Sequence, residues 1–392
     1  MSLSSKQRSC SSSPSGGRGA SANAASIAAR VWPSRSTAGI LTAGSVRGVA
    51  TNVAPLPDEL EPRRLLRRFV AVLALLAALV LVALLAPGLG QVRDVLAEAS
   101  ASWLALAVAF ELLSCASYVL MFRPVFCRRM SWRTSTEIAT AELAVGSIVP
   151  ASGAGGLALG AWILSRRGMP AERIARRSVA FFLIKSSVNF IAVAVVGTAM
   201  AIGLGPPRSL LLTALPAALS LLLIAAVFAM PRLGPGRPPG QGAGRLRRAT
   251  HAVRAAVIDG TREACELLVR RDPVLIAGAV GYWAWDNAVL WATFEAVGAD
   301  VPLTVVLMGY LIGQLGGLLP LPGGVGGIDG GLIGTLIVYG APVAATVAAV
   351  LAYRVILFWL PLLLGAIGFA SLRKALAEPQ RADLCEPALS PP

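Results

Sequence analysis

The sequence predicts an all-α, polytopic integral membrane protein, with about six full transmembrane helices and two glycine- and proline-broken re-entrant hairpins in an inverted-topology repeat. The first observation is composition. Only 14% of the 392 residues are charged and the mean hydropathy is +0.70, whereas soluble domains carry about 25% charged residues. The second is that several apolar stretches reach the roughly 20 residues that a helix needs to cross a bilayer. The third is that short arginine clusters separate these stretches.

The two ends of the chain differ from its apolar middle. Residues 1–60 are basic, rich in Ser, Ala and Gly, and contain no sustained apolar run, so we expect a disordered tail. An organelle transit peptide is an alternative for this segment. Residues 376–392 are Pro-rich and are expected to form a second disordered tail. Six full spans are predicted between them, at 65–87, 102–124, 178–204, 209–230, 273–297 and 342–370.

Two further apolar regions, 135–166 and 302–339, are interrupted by glycine and proline. The first contains the run PASGAGG at 150–156, and the second contains PLPGGVGG at 320–327. Proline removes a backbone donor and glycine weakens a helix, so neither region is expected to be one continuous span. Broken backbone at membrane depth is tolerated only where protein or a water-filled cavity covers it. We therefore expect these two regions to form the walls of a site.

The arginine clusters predict the orientation of the spans, because cytoplasmic loops carry an excess of Lys and Arg. Clusters at 63–68, 123–133 and 166–177, and the arginine-rich segment 231–271, are assigned to the cytoplasm. Both ends of the first broken region then lie inside and both ends of the second lie outside, so each is predicted to be a re-entrant hairpin. Both termini are expected in the cytoplasm. Three lysines against 32 arginines, with abundant Ala, Gly and Pro, suggest a GC-rich bacterial genome and hence the bacterial inner membrane.

The same assignment exposes an internal repeat. The order of span, span, hairpin and span occurs twice along the predicted elements, and the second copy is upside down. We divide the chain into a first membrane repeat, 61–230, and a second, 272–375, on either side of the linker. Pro150 and Gly153 match Pro320 and Gly323 at a fixed offset of 170 residues. Inverted repeats with broken helices near the midplane are a recurring plan of transporters.

The segment between the repeats, 231–271, is predicted to be a basic cytoplasmic linker. Its second part, 252–271, places apolar residues at near-helical spacing against charged ones, which fits an amphipathic helix on the membrane surface. Its arginines either bind anionic headgroups or serve only as a topology signal.

Charge and residue type exclude several classes of function. The net charge of +15 invites comparison with nucleic-acid-binding proteins, but the basic residues flank apolar segments, so no nucleic-acid partner is expected. Five scattered cysteines lack metal-ligand spacing, and His251 is the single histidine. We therefore expect no metal site, no cofactor and no histidine-based triad.

Ionisable groups inside spans are costly and mark candidate functional positions. We expect Arg354 and Lys185 to line, with the two glycine-rich breaks, a polar groove for an anionic headgroup, because guanidinium groups and exposed backbone N–H groups bind phosphate. Asp286 and Glu142 would hold the cations while the groove is empty. The alternative is a buried Arg354–Asp286 pair that only fixes helix packing. The remaining candidate residues lie in the two broken regions: Gln314, Asp329, Gly153, Gly156, Gly323, Gly324, Gly326 and Gly327.

Three stretches resemble a known family. They are GQLGGLLPLPGGVGGID at 313–329, LAYR at 351–354 with FWLP at 358–361, and the region 145–189 with its RGMP at 167–170. Together they are similar to the flippase-like transmembrane region of lysylphosphatidylglycerol synthases, over roughly residues 60–375. The resemblance implies a membrane domain that moves lipids or lipid-linked molecules between leaflets. Full-length synthases of this family carry a soluble aminoacyl-transferase domain after the membrane region. The chain ends shortly after Lys374, so we do not expect that activity here.

The leading expectation is therefore a transporter rather than an enzyme, moving an anionic phospholipid or polyprenyl-linked lipid. A membrane-embedded transferase or hydrolase of lipid-linked substrates is one alternative, with Glu142, Asp286 and Asp329 as its acid and base groups. Another is a non-transporting scaffold for a separately encoded envelope-synthesis enzyme. Lipid translocation without turnover of a lipid substrate would distinguish the first from both others.

Overall fold

A computed structural model describes residues 90–148, 154–204, 209–234, 244–314 and 326–377, together with isolated positions between 64 and 81 and at 206 and 240. The expected tail 1–60 and nearly all of the tail 376–392 lie outside the described residues. Of the first predicted span, 65–87, only isolated helical positions are described.

Within these ranges the ordered elements are helices, as the composition predicted. In chain order they are α1 (Gly90–Ala97), α2 (Ala101–Phe126), α3 (Trp132–Ile148), α4 (Ala154–Arg166), α5 (Ala171–Ala201), α6 (Leu210–Ala229), α7 (Arg245–Val269), α8 (Pro273–Ala296), α9 (Leu303–Gly313), α10 (Gly327–Val338) and α11 (Val343–Ala377). A short 3-10 turn, Met230–Leu233, continues α6.

Four of the described helices are long and apolar enough to cross a bilayer: α2, α5, α6 with its 3-10 turn, and α11. They coincide with four of the six predicted full spans. The span predicted at 273–297 is the continuous, 24-residue helix α8, but α8 is not among these four. It carries Asp286 and Asn287 near its middle, and it packs along α2.

Each region that the sequence predicted to be broken is a pair of helices. The first comprises α3 and α4, which pack on each other, and the second comprises α9 and α10, which also pack on each other. Because the two helices of each region pack on each other, neither region is a single span. The breaks themselves, 149–153 and 315–325, lie outside the described residues.

The helices repeat at a constant spacing. Equivalent helices begin at residues 101 and 273, 132 and 303, 154 and 327, and 171 and 343, a separation of 171–173 residues in every case. The equivalent helices α2 and α8 also pack antiparallel, because Ser100 N–H donates to Ala296 O over 2.8 Å at one end. At the other end, a Cβ on Gly278 would lie 2.6 Å from Met121 N. An antiparallel pair of equivalent helices is what an inverted repeat requires.

Small residues allow the helices to approach closely, as is typical of membrane bundles. A Cβ on Gly365 of α11 would lie 2.5 Å from Thr140 O of α3, and one on Gly281 of α8 would lie 2.6 Å from Ser117 Oγ of α2. These contacts bring the first repeat directly against the second. Among the described residues, the buried acids of the two halves are Glu111, Glu142, Asp286 and Asp329.

The amphipathic helix predicted at 252–271 forms as α7 and begins earlier, at Arg245. It is held against α5 by Glu263, which forms ion pairs with Arg176 and with Arg177, the latter at 3.0 Å. A Cβ on Gly260 of α7 would lie 2.5 Å from the side chain of Val179 of α5. On the predicted apolar face of α7, Ala264 is buried and Leu267 and Leu268 pack against the core, so this face also serves as a packing face.

Candidate functional site

Lys185, near the middle of α5, lies against two tyrosine rings. Its Nζ is 5.9 Å from the ring centroid of Tyr118 on α2 and 5.7 Å from that of Tyr282 on α8, and the two centroids are 5.4 Å apart. A ring face attracts an ammonium group by about 0.5–2 kcal/mol, more when water is excluded. The carboxyl groups of Glu142 and Asp286 also act electrostatically on Lys185. Both carboxylates that the sequence assigned to the cations are therefore near this amine.

Glu142 of α3 is 2% exposed. Its Oε2 accepts a hydrogen bond of 2.9 Å from the Tyr118 hydroxyl, while Oε1 has no hydrogen-bond donor among the described residues. Any Cβ on Gly160 of α4 would overlap this carboxyl group, and one on Gly156 would overlap the Glu142 carbonyl. The predicted candidate Gly156 thus lets α4 close on α3, and Gly160, which the sequence analysis did not single out, makes room for the Glu142 side chain.

Asp286 of α8 is 7% exposed and is held by two tyrosines. The Tyr353 hydroxyl of α11 donates to Oδ1 over 3.0 Å, and the Tyr310 hydroxyl of α9 donates to Oδ2. Hydrogen bonds to a charged acceptor are stronger than neutral ones, so these hydroxyls stabilise a buried anion. Neither tyrosine was expected from the sequence.

Arg354 of α11 forms an ion pair with Asp329 of α10, with Nε 3.1 Å from Oδ1 and side chains that are 12% and 3% exposed. Asp329 Oδ2 accepts a hydrogen bond of 2.9 Å from Gly326 N–H, at the start of α10. Gly326 has a φ of +86°, in the left-handed region that glycine occupies without a steric penalty. The anionic carboxylate also lies at a helix N-terminus, which favours negative charge.

The alternative that paired Arg354 with Asp286 needs correction, and so does the expectation that Asp286 and Glu142 hold both cations. Among the described residues, Arg354 forms an ion pair with Asp329. Arg354 still acts electrostatically on Asp286, but the tyrosines provide the hydrogen bonds to that carboxylate. The choice between the two acids depends on the rotation of α8 and α10 about their axes. Hydropathy does not specify that rotation.

The other predicted candidates lie at the breaks. Gln314 follows the last residue of α9 and is half-buried, and Gly327 is the buried first residue of α10. Gly326 is described above. Gly153, Gly323 and Gly324 lie outside the described residues. Their predicted contribution of backbone N–H groups stays a prediction.

The two repeats contain the same kind of hydrogen bond with its members exchanged. Tyr118 and Glu142 are 24 residues apart and link α2 to α3, while Asp286 and Tyr310 are also 24 residues apart and link the equivalent helices α8 and α9. The tyrosine comes first in one repeat and second in the other. A spacing of 24 between tyrosine and carboxylate is therefore the signal by which these partners could have been found in the sequence.

An apolar cavity of about 420 Å³ lies along α10, the helix that carries Asp329. It is formed by α6, α9 and α10, and the residue after Asp329 is one of its walls. The lining residues are Leu212, Pro216, Ile312, Gly330, Gly331, Gly334, Thr335, Val338 and Tyr339. Gly330 and Gly334 are exposed, so the cavity opens at the surface of the bundle.

Comparison with known proteins agrees with this architecture. Two curated relatives from Methanothermobacter thermautotrophicus, each described as a "UPF0104 membrane protein", are 33% identical over 86 residues and 26% identical over 132 residues. These matches cover 22% and 33% of this chain, and only 26% and 36% of the relatives. Residues 69–365 match the family described as "Lysylphosphatidylglycerol synthase TM region". Because that match covers most of the chain and nearly all of the helical bundle, the protein belongs to the lysylphosphatidylglycerol synthase transmembrane-region family.

Proposed function

We propose that this protein is a flippase-like transporter that moves an anionic phospholipid or a polyprenyl-linked lipid between the two leaflets of the bacterial inner membrane. The observation that carries the proposal is the buried Arg354–Asp329 ion pair at the start of α10. It places a cation and a helix N-terminus together, within a bundle of apolar helices and next to a break in the second hairpin. Burying a charge inside a membrane bundle is energetically costly, so a charged residue in this position marks a candidate functional site.

The ion pair supplies a means of binding a headgroup. A phosphate that replaces the Asp329 carboxylate would meet the Arg354 guanidinium, which can bind two oxygens at once, and the N-terminal N–H groups of α10. Asp329 then acts as the internal anion that keeps Arg354 neutralised when no lipid is bound. The neighbouring apolar cavity would accept part of an acyl or prenyl chain, which keeps the hydrocarbon out of the polar interior.

Lys185 supplies a second position on the path. It lies on α5, the helix equivalent to α11 in the other repeat. It contacts two tyrosine rings, and the carboxyl groups of Glu142 and Asp286 act on it electrostatically. A headgroup passing between the repeats would therefore meet one cation in each half. In this proposal α3–α4 and α9–α10 are re-entrant hairpins of opposite direction, and both termini are cytoplasmic.

The proposal needs no enzymatic activity or cofactor of the chain itself. A separately encoded envelope-synthesis enzyme remains a candidate partner, since a lipid made on one side of the membrane is the substrate that such a transporter requires. The family is described as a membrane region and the two relatives as membrane proteins, which supports the membrane part of the proposal.

The test is translocation of headgroup-labelled lipid in proteoliposomes. We expect exchange of anionic phosphatidylglycerol with the native protein, and its loss in Arg354→Ala and Lys185→Ala. Arg133→Ala is the matched control, because the Arg133 side chain is 84% exposed and its ion pair within the described part of the chain is with Glu137 of the same helix. If no anionic or polyprenyl lipid is exchanged by folded native protein, the transporter proposal is wrong and the embedded enzyme or the scaffold replaces it.

A further inference from the structure

Glu111 of α2 is a buried acid that the proposed lipid path leaves unused. Its side chain is 4% exposed. The thiol of Cys115, one turn along the same helix, donates a weak 3.5 Å hydrogen bond to Oε1. Oε2 is buried and has no hydrogen-bond partner in the described part of the chain.

The carboxyl group of Glu111 is close to that of Asp286. Phe110 of α2 stacks on Trp285 of α8 with ring centroids 5.5 Å apart, and Ser114 Oγ donates to Tyr282 O over 3.3 Å. Glu111 and Asp286 follow Phe110 and Trp285 directly in their helices, and the two acids interact electrostatically.

The other groups around Glu111 do not neutralise it. Besides Cys115 and Asp286, the titratable side chains acting with it are neutral phenols on three helices: Tyr282 on α8, Tyr310 on α9 and Tyr353 on α11. The other helices packed on α2 carry further charged residues, and these interact with groups other than Glu111. Lys185 of α5 and Arg354 of α11 act on Asp286, and Glu142 of α3 accepts from Tyr118. No ion pair joins Glu111 to a Lys or Arg of the described residues.

An ionised carboxylate without a partner is costly in a low-dielectric interior, and repulsion from a second carboxylate adds to that cost. Asp286 has two hydroxyl donors and two cations acting on it, so Asp286 keeps the negative charge. Glu111 has neither, so it is the member of the pair that holds a proton.

We propose that Glu111 is a proton-binding site, occupied in this conformation, through which the proton gradient drives lipid movement. The coupling rests on the proposed function. When an anionic headgroup engages Lys185 and Arg354, these cations are withdrawn from Asp286, and the stronger negative charge on Asp286 retains the Glu111 proton. When the path opens on the other side and the headgroup leaves, water reaches Glu111 and removes the cost of its negative charge, so the Glu111 proton is released to water on that side. Headgroup and proton therefore move in the same direction, and a singly charged anionic lipid crosses with no net charge.

The proton site is tested without any lipid movement. Infrared difference spectra of the reconstituted native protein between two pH values should show the carbonyl stretch of a protonated carboxylic acid. Glu111→Gln, which resembles the protonated side chain in shape, should lose that band. Glu98→Gln, at an exposed acid in the turn before α2, should keep it. An identical spectrum for native protein and Glu111→Gln would overturn the proton site.

The coupling is tested by imposing a pH gradient across proteoliposomes that contain labelled phosphatidylglycerol. With one proton per lipid, a gradient of one pH unit corresponds to 1.36 kcal/mol and should drive an asymmetry of about tenfold in native protein and in Glu98→Gln. Glu111→Gln should exchange lipid to equal leaflet populations and lose the response to the gradient. If the native protein exchanges lipid to equal leaflet populations even when the pH gradient is imposed, the coupling is overturned and the transporter proposal stays intact. An absence of native exchange would overturn both, and the infrared band would still decide the proton site.

Discussion

Arg354 of α11 and Asp329 of α10 form a nearly buried ion pair, with Nε and Oδ1 3.1 Å apart. Asp329 also accepts from Gly326 N–H, so one carboxylate neutralises a cation and caps a helix. The pair joins the second arm of a broken region to the long C-terminal helix. The same carboxylate therefore helps to hold the broken region in place and balances the charge of Arg354 inside the bundle.

Removing one partner of this pair should destabilise the protein, because a buried charge loses its counter-charge, at a cost of about 3–5 kcal/mol. We expect Arg354→Gln and Asp329→Asn each to lower the unfolding temperature in detergent. The double variant Arg354→Gln/Asp329→Asn should be less destabilised than the sum of the two single changes. Strict additivity in this double-mutant cycle would show that the two side chains do not interact.

Gly160 should be required only because of the Glu142 side chain. Gly160→Ala places a methyl group on the Glu142 carboxyl group and is expected to lower the unfolding temperature, whereas Glu142→Ala should make the same change tolerable. Gly156→Ala should stay destabilising in either background, since its Cβ overlaps the Glu142 carbonyl.

Gly330→Ala is the control for both changes. A Cβ at Gly330 meets no atom within 4 Å, and alanine is favoured over glycine inside a helix by about 1 kcal/mol. Its unfolding temperature should not fall. If the unfolding temperature of Gly160→Ala also does not fall, α4 does not approach α3 as closely as the structure shows.

The phenol hydroxyls of Tyr310 and Tyr353 should stabilise the protein through Asp286. Tyr353→Phe removes a hydrogen bond to a buried carboxylate, at a cost of about 1–3 kcal/mol. In an Asp286→Ala background the same substitution should cost much less, because the acceptor is gone. An equal loss of unfolding free energy in both backgrounds would mean that the phenol acts through other contacts.

The anchoring of α7 should depend on Glu263. Glu263→Gln weakens its ion pairs with Arg176 and Arg177, so amide hydrogens of α7 should exchange faster while those of α2 keep their rates. Glu266→Gln, an exposed acid on the same helix, is the control and should leave the exchange unchanged. Similar rates of amide hydrogen exchange in α7 of the two variants would show that Glu263 does not anchor this helix.

Much of the helical architecture could be predicted because it depends on local signals. Asp272-Pro273 begins α8 at the predicted position, since Asp272 accepts from Val274 N–H as a helix cap and proline suits the first turn. The glycine- and proline-rich runs separate α3 from α4 and α9 from α10 as expected. Each of these features needs information from only a few neighbouring residues.

The partners inside the bundle could not be predicted in the same way. Arg354 could reach either Asp286 or Asp329 by depth in the membrane, and the structure pairs it with Asp329. Tyr118 and Tyr310 were missed because contacts between helices depend on how each helix is rotated. Hydropathy shows which residues enter the interior, but it does not specify which of them meet.

The most direct test of the account compares lipid exchange by Arg354→Gln and Asp329→Asn in proteoliposomes, with each variant shown to be folded. If Arg354 binds the headgroup and Asp329 only replaces it in the empty state, Arg354→Gln should abolish exchange of anionic lipid. Asp329→Asn, which keeps an acceptor for Gly326 N–H, should retain exchange. Equal loss in the two variants would contradict the account, because it is the result expected of a pair that only holds α10 against α11.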